Sequence, residues 1–234
     1  MLELRLNRGK LCSIGDYNLD LDCALISSNY LTRFARYSKT MLISFVGSPC
    51  SGKTTTAALI FADLKDSGQS VEFIPEQARF YIAIQRVKAG LKPNQRLYLT
   101  DVDQESIMQQ QQQLEETLVT SCGQTITIIG DSSPLNSYLY MSEKKRQEPL
   151  VQAMITKYLS HKPLIFYVHP VPPGHCLDPN RIHDQKFSES LDEKLIPLMT
   201  ELGVSPIPLT GSSRTRSSQA LAVIYSKLAE ELYD

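Results

Sequence analysis

The segment Gly47-Ser48-Pro49-Cys50-Ser51-Gly52-Lys53-Thr54 restricts what this chain can fold into more than any other stretch. It completes a G-x-x-x-x-G-K-[ST] phosphate-binding pattern. The apolar run Met41–Val46 leads into it and an Ala- and Leu-bearing segment, 55–62, follows. The pattern therefore sits at a turn from a buried strand to a helix, the context it needs. Its glycines let the backbone curl so that successive amides point inward at the positive end of the helix. Gly47, Ser48, Pro49, Cys50, Ser51, Gly52, Lys53, Thr54 and Thr55 are the expected nucleotide-binding residues. Lys53 reaches for the β- and γ-phosphates as a catalytic charge, and the Thr54 hydroxyl is a candidate Mg²⁺ ligand.

Beyond Met41, strand-like runs at 42–46, 71–74, 125–130, 164–168 and 204–209 alternate with helical stretches near 53–66, 76–90, 102–120, 147–160, 187–202 and 213–232. This alternation predicts an α/β fold, a three-layer α/β/α arrangement around a five-stranded parallel sheet. Ligands of such sheets lie at the carboxyl ends of the strands. Ile107, Leu114 and Leu118 fall on one helical face, as do Leu221, Ile224 and Leu228. The run Gln109–Gln113 reads as a solvated helix face, because Gln is a good helix former. Pro197 is expected to kink or split its helix. Residues 1–40 differ in character. Leu2, Leu4 and Leu6 alternate with Glu3 and Arg5, and Leu19 and Leu21 alternate with Asp20 and Asp22. They are expected to form an N-terminal extension with a β-hairpin, separate from a main domain over 41–234.

Length and composition narrow the functional classes. At 234 residues, 42% hydrophobic and 21% charged, the chain suits a globular domain with a large core. A net charge of −1 provides no global basic field, so nucleic acid is not an expected partner. Cys12, Cys23, Cys50, Cys122 and Cys176 are odd in number, scattered and without a C-x-x-C pair, which argues against a disulfide framework and a thiolate zinc site. The spacings of His169, His175, Cys176 and His183 match no zinc pattern either. No apolar run approaches a membrane span and no signal-peptide core opens the chain, so a cytoplasmic location is expected.

The residues after each strand carry the remaining candidates. Glu76 follows the second strand, where a carboxylate can accept or hold a substrate hydroxyl, with Arg79 one turn on as a clamp for phosphate or carboxylate. The alternative is that Glu76 only favours the helix N-terminus, with Arg79 as its i+3 partner. Asp131 follows the third strand at the Walker-B position, where a carboxylate orients Mg²⁺; the alternative is that Asp131 or Ser132 caps the helix opened by Pro134. Ser132 is also a candidate substrate contact. Segment 169–186, with Pro170, Pro172, Pro173 and Pro179, is an irregular loop suited to a lid, with Arg181 as a catalytic cation and Lys186 beside it. After the fifth strand, Arg216 either stacks on the nucleotide base or belongs to a helix start with exposed arginines.

From about Met41 onward the chain resembles the small AAA-like P-loop NTPases and kinases. It is similar in layout to bacterial nicotinamide-riboside kinase domains and, more distantly, to nucleoside and nucleotide kinases. The resemblance rests on Gly47–Thr54, Pro75–Arg79, Asp131-Ser132-Ser133-Pro134, segment 178–184 and segment 211–216. It implies ATP and Mg²⁺ as cofactors, and places the acid that works on the acceptor hydroxyl at Glu76. Relatives often carry arginine at the position of Ser132, which here shifts acceptor recognition toward Arg79 and Arg181. The expected function is transfer of the γ-phosphoryl group of ATP to a small-molecule acceptor: a nucleoside, a nucleotide or a related ribosyl metabolite. A regulatory NTPase without an acceptor and a polynucleotide-end kinase are the rivals, and the oligomeric state is left open.

Overall fold

The computed structural model describes residues 4–5, 11–12, 40–92, 95, 97–121, 126–170 and 185–230. Two short strands, β1 (Leu4–Arg5) and β2 (Leu11–Cys12), pair antiparallel with Leu4 opposite Cys12. The rest of the expected N-terminal extension lies outside the described residues.

The apolar runs form one sheet. Its strands are β3 (Met41–Val46), β4 (Val71–Ile74), β5 (Thr127–Gly130), β6 (Leu164–Val168) and β7 (Ile207–Leu209), in the order β4-β5-β3-β6-β7. Every neighbouring pair is parallel. Such a sheet needs apolar residues on both faces, and β3 shows why its run is unbroken. Ile43 and Phe45 pack beside Ile60 and Leu64 of α1 (Lys53–Asp66) and Ala220 and Ile224 of α8 (Ser213–Glu230). Leu42 and Val46 join the opposite core with Met108 of α3 (Asp101–Ser121), Leu135 of α4 (Pro134–Tyr140), Ile155 of α6 (Pro149–Ser160) and Leu195 of α7 (Gln185–Glu201). Phe45 and Phe166 face each other across β3 and β6 and stack at 5.6 Å. The remaining helices are α2 (Gln77–Lys88) and α5 (Glu143–Arg146). β7 begins three residues later than the expected 204, because Pro206 and Pro208 lack donors; as an edge strand paired only with β6 it tolerates Pro208.

Two expectations about helices are corrected in part. Pro197 does not split α7, which runs through it as one helix. A proline inside a helix costs about 3 kcal/mol. Burial of Leu191, Leu195 and Met199, at about 1.5–3 kcal/mol each, more than offsets that. The Gln run is a solvated face only in part, since Gln109, Gln110 and Gln113 are exposed and the other two are not. Gln111 and Gln112 are 2% and 6% exposed, whereas Leu114 is 41% exposed. The inward face of α3 is Gln104, Ile107, Met108, Gln111, Gln112 and Glu115. Gln112 Nε2 donates to Met154 O on α6 at 3.2 Å, and Gln111 Nε2 donates to Glu115 Oε1 at 2.8 Å. These bonds are what allow amides into the core.

Candidate functional site

The loop after β3 is built from backbone that only certain residues tolerate. Gly47 has φ 150°, and a Cβ there would lie 2.6 Å from Val168 O at the end of β6. Gly52 is the N-cap of α1 with φ 92°, a left-handed conformation that suits glycine. Lys53 folds back over the loop, its Nζ donating to Gly47 O at 2.8 Å and Ser48 O at 2.9 Å. The ammonium is thus held across the mouth of the curl where phosphate oxygens would sit. Cys50, with φ 66°, is disulfide-bonded. The scattered cysteines argue against a disulfide framework, but a single pairing depends on proximity in space, which spacing along the chain does not encode.

The ends of β4 and β5 are tied together. Asp131 N donates to Ile74 O at 2.9 Å, which brings Asp131 level with the turn that carries Glu76. Asp131 is 3% exposed. Burial raises the pKa of its carboxyl; a hydrogen bond from the Thr54 hydroxyl opposes this, Glu76 adds to it, and Lys53 and Arg79 oppose it. Glu76 is 27% exposed in its side chain and makes no capping bond to α2. Its Oε2 instead takes Arg79 Nε at 2.8 Å, while Arg79 Nη2 lies 3.5 Å from the Thr54 hydroxyl. The i+3 pairing is therefore present, and the same arginine also reaches the phosphate loop. The cap of α4 is Ser133, which accepts from Leu135 N at 3.2 Å. That corrects the capping alternative for Asp131 and Ser132. Asn136 Nδ2 donates to Ser132 Oγ at 2.9 Å and to Phe45 O at 3.1 Å, anchoring Ser132 to β3.

Most of these groups line one cavity of about 610 Å³, with Asp131 buried just behind its wall. Gly47, Pro49, Cys50, Gly52, Lys53, Thr54, Thr55, Glu76, Arg79 and Ser132 all border it. It continues between α2 and α3, past Ile82, Arg86 and Leu99 to Gln104, Gln111 and Tyr140. Sequence reasoning missed this second half. Its one visible signal was the Gln run, misread because polarity alone does not say which way a helix turns. Tyr81 Oη donates to Asp103 Oδ1 at 2.6 Å and Arg86 holds Gln95 O and Lys92 O at 2.7 Å each, so both walls are fixed.

Arg216 stands apart from the expected stacking mode. It is 2% exposed, and its guanidinium donates to Ser51 O at 2.5 Å and His169 O at 2.7 Å. It braces the phosphate loop from behind, whereas stacking needs an exposed face. Ser48, Ser51 and Thr56 hydroxyls are buried with no protein partner. Arg181 lies outside the described residues, as do the side chain of Lys186 and most of the expected lid.

The donor set suits Mg²⁺. The Thr54 hydroxyl and the buried Asp131 carboxylate are hard oxygens, adjacent to each other and to the phosphate curl. Among the described residues no group of three or more His, Cys, Asp or Glu could form an all-protein cage. Nor is any described helix long and apolar enough to cross a membrane.

Comparison with known proteins agrees with this architecture. Residues 42–216 match a family described as an AAA domain. One solved structure, of NadR protein in complex with NAD and AMP-PNP, superposes with TM-score 0.51 at 17% identity, covering 78% of this chain and 48% of that one. A second, of NadR protein in complex with NR, gives TM-score 0.56 at 16% identity, covering 81% and 49%. The chain thus spans about half the length of each. No curated protein matches it. At this identity the likeness shows the fold alone, a P-loop NTPase three-layer α/β/α domain with a five-stranded parallel sheet.

Proposed function

The chain belongs to this AAA-domain family, and we propose that it is an ATP- and Mg²⁺-dependent phosphotransferase acting on a small acceptor: a nucleoside, a nucleotide or a related ribosyl metabolite. The observation that carries the reading is the shared cavity. The phosphate loop and the Glu76–Arg79 pair open onto the same space, which extends well past them between α2 and α3. A volume of about 610 Å³ falls within the range of small-molecule sites and leaves room beyond the phosphates for an acceptor. The NadR structures at this fold hold AMP-PNP in one case and NR in the other, which fits a nucleotide beside a riboside.

In this reading the amides of Gly47–Thr54 bind the phosphates and Lys53 neutralises their charge. Thr54 and Asp131 would hold Mg²⁺, which would supply positive charge to the phosphates during transfer. Glu76 orients the acceptor hydroxyl and accepts its proton. Arg79 pairs with that carboxylate at Oε2 and reaches toward the Thr54 hydroxyl, which holds Glu76 beside the phosphate loop. Ser132 contacts the acceptor, and Arg181 supplies positive charge to the moving phosphoryl group.

A thermal-shift screen tests the proposal. Nucleosides, nucleotides and ribosides are each added with Mg²⁺ and a non-hydrolysable ATP analogue. A true acceptor at a hundredfold its Kd adds about 2.7 kcal/mol. At about 2–4 °C per kcal/mol for a domain of this size, that is a rise of about 5–10 °C. Failure of the analogue itself to raise Tm overturns the nucleotide site; failure of every acceptor overturns the phosphotransferase.

A further inference from the structure

Behind the cavity lies a buried carboxyl group that the proposed reaction does not use. Glu115 is 1% exposed, and the one hydrogen bond at its carboxyl is the 2.8 Å bond from Gln111 Nε2 to its Oε1. Its other oxygen, Oε2, has no protein partner, and neither has Gln111 Oε1. The pair is wedged against the last residue of β5. A Cβ on Gly130 would lie 3.5 Å from Glu115 Oε1 and 3.6 Å from Gln111 Nε2. Gly130 is followed directly by Asp131 and Ser132, and Gln111 itself borders the cavity. The pair therefore touches the cavity wall on one side and, on the other, the turn that carries the Walker-B acid.

We propose that Glu115 is a positioning residue, which through Gln111 and Gly130 fixes the Asp131–Ser132 turn and the adjoining wall of the acceptor cavity. It rests on the phosphotransferase reading for its effect on turnover, although the placement of the turn can be read without it. The chemistry favours a neutral acid. Burial, reinforced by Glu116, pushes the Glu115 carboxyl up to about 8, against the pull of the Gln111 bond. Glu116 on the same helix is paired with Lys157 of α6 at 2.6 Å. From α6 the buried Tyr158 hydroxyl is close enough to feel the charge of the carboxyl, and the Ser44 and Ser133 hydroxyls lie beside Tyr158. No cation is among the groups that act on Glu115. As an acid, Oε2 carries a hydrogen that the unpartnered Gln111 carbonyl can accept, so the two side chains can lock as an acid–amide pair. Ionised, Glu115 keeps only the bond from Gln111 Nε2, and a buried charge presses on Gly130.

The test follows backbone amides and turnover in the full chain. Amide NMR signals of Gly130, Asp131 and Ser132 are titrated from about pH 6.5 to 9.5 in wild type, Glu115→Gln and Glu115→Leu. The amides should move together in wild type with a midpoint near 8 and stay fixed in Glu115→Gln, which keeps the neutral pairing. Acceptor-dependent kcat should stay within about twofold in Glu115→Gln and fall about tenfold or more in Glu115→Leu, with KM for ATP little changed. Amides that do not titrate in wild type overturn the proposal. So does a Glu115→Leu protein with wild-type kcat, or a Glu115→Gln protein as impaired as the leucine variant. If Glu115→Leu does not fold, the wild-type and glutamine titrations decide. If no acceptor is phosphorylated, the phosphotransferase reading fails, and the amide titration still decides the positioning role.

Discussion

Replacing Arg216 by methionine removes the guanidinium while keeping most of the apolar volume, so its cost can be reasoned from the two carbonyls left behind. Ser51 O lies in the phosphate loop and His169 O just past β6, and Arg216 donates to both from a site 2% exposed. Each buried carbonyl stripped of its donor costs about 1–3 kcal/mol. Relief of the desolvation of a buried guanidinium offsets part of this. The net expectation is a loss of about 2–4 kcal/mol, or about 4–16 °C in Tm for a domain of this length. Calorimetry or urea unfolding without nucleotide reads it directly. Affinity for an ATP analogue should also fall, because Ser51 belongs to the loop that binds it. If Arg216→Met melts as wild type does without nucleotide and merely binds nucleotide less well, the bracing argument is wrong and Arg216 acts on the ligand.

Gly47→Ala should abolish nucleotide binding and lower Tm, since its Cβ would sit 2.6 Å from Val168 O; a variant that binds an ATP analogue as wild type does would refute the close approach. Glu76→Gln should cut kcat by about 10²–10⁴-fold with ATP affinity little changed. A stable, fully active variant leaves Glu76 with no role beyond its pairing to Arg79. The fold's stability should also depend on Glu115. Because the folded chain holds that proton up to about 8 while the unfolded chain releases it in the ordinary carboxylate range, stability is full at acid pH and declines as pH rises through that window. The slope is about 1.4 kcal/mol per pH unit from this group, levelling above the folded value. Urea unfolding at pH 5 and pH 8 should show this loss in wild type and a smaller one in Glu115→Gln.

The parts of the fold that the sequence disclosed are those governed by local pattern. The strands β3, β4 and β6 fall where strand-like runs predicted them, and α1 begins at Lys53 because glycines shape the turn before it. Most of the phosphate loop, with Glu76, Arg79 and Ser132, is gathered around one cavity, as siting after successive parallel strands implies; Ser48 and Ser51 are buried behind it. What could not be read depends on partners from distant elements. Gln111 and Gln112 look like solvent residues until Glu115 and Met154 are placed beside them. Arg216 looks like an exposed cation until Ser51 O and His169 O enclose it, 165 and 47 residues away along the chain. Leu114 has the right period for the core, yet α3 turns Gln111 and Gln112 inward instead, since those amides find partners there.

The central claim is transfer of the γ-phosphoryl group to an acceptor hydroxyl. It is tested most directly by incubating the protein with γ-labelled ATP, Mg²⁺ and a panel of nucleosides, nucleotides and ribosides, and measuring label in the acceptor and in free phosphate. The account predicts a labelled acceptor, ATP consumption that depends on that acceptor, and loss of both in Lys53→Ala with the fold intact. Label released as free phosphate at the same rate with and without every acceptor, and none transferred, would contradict it.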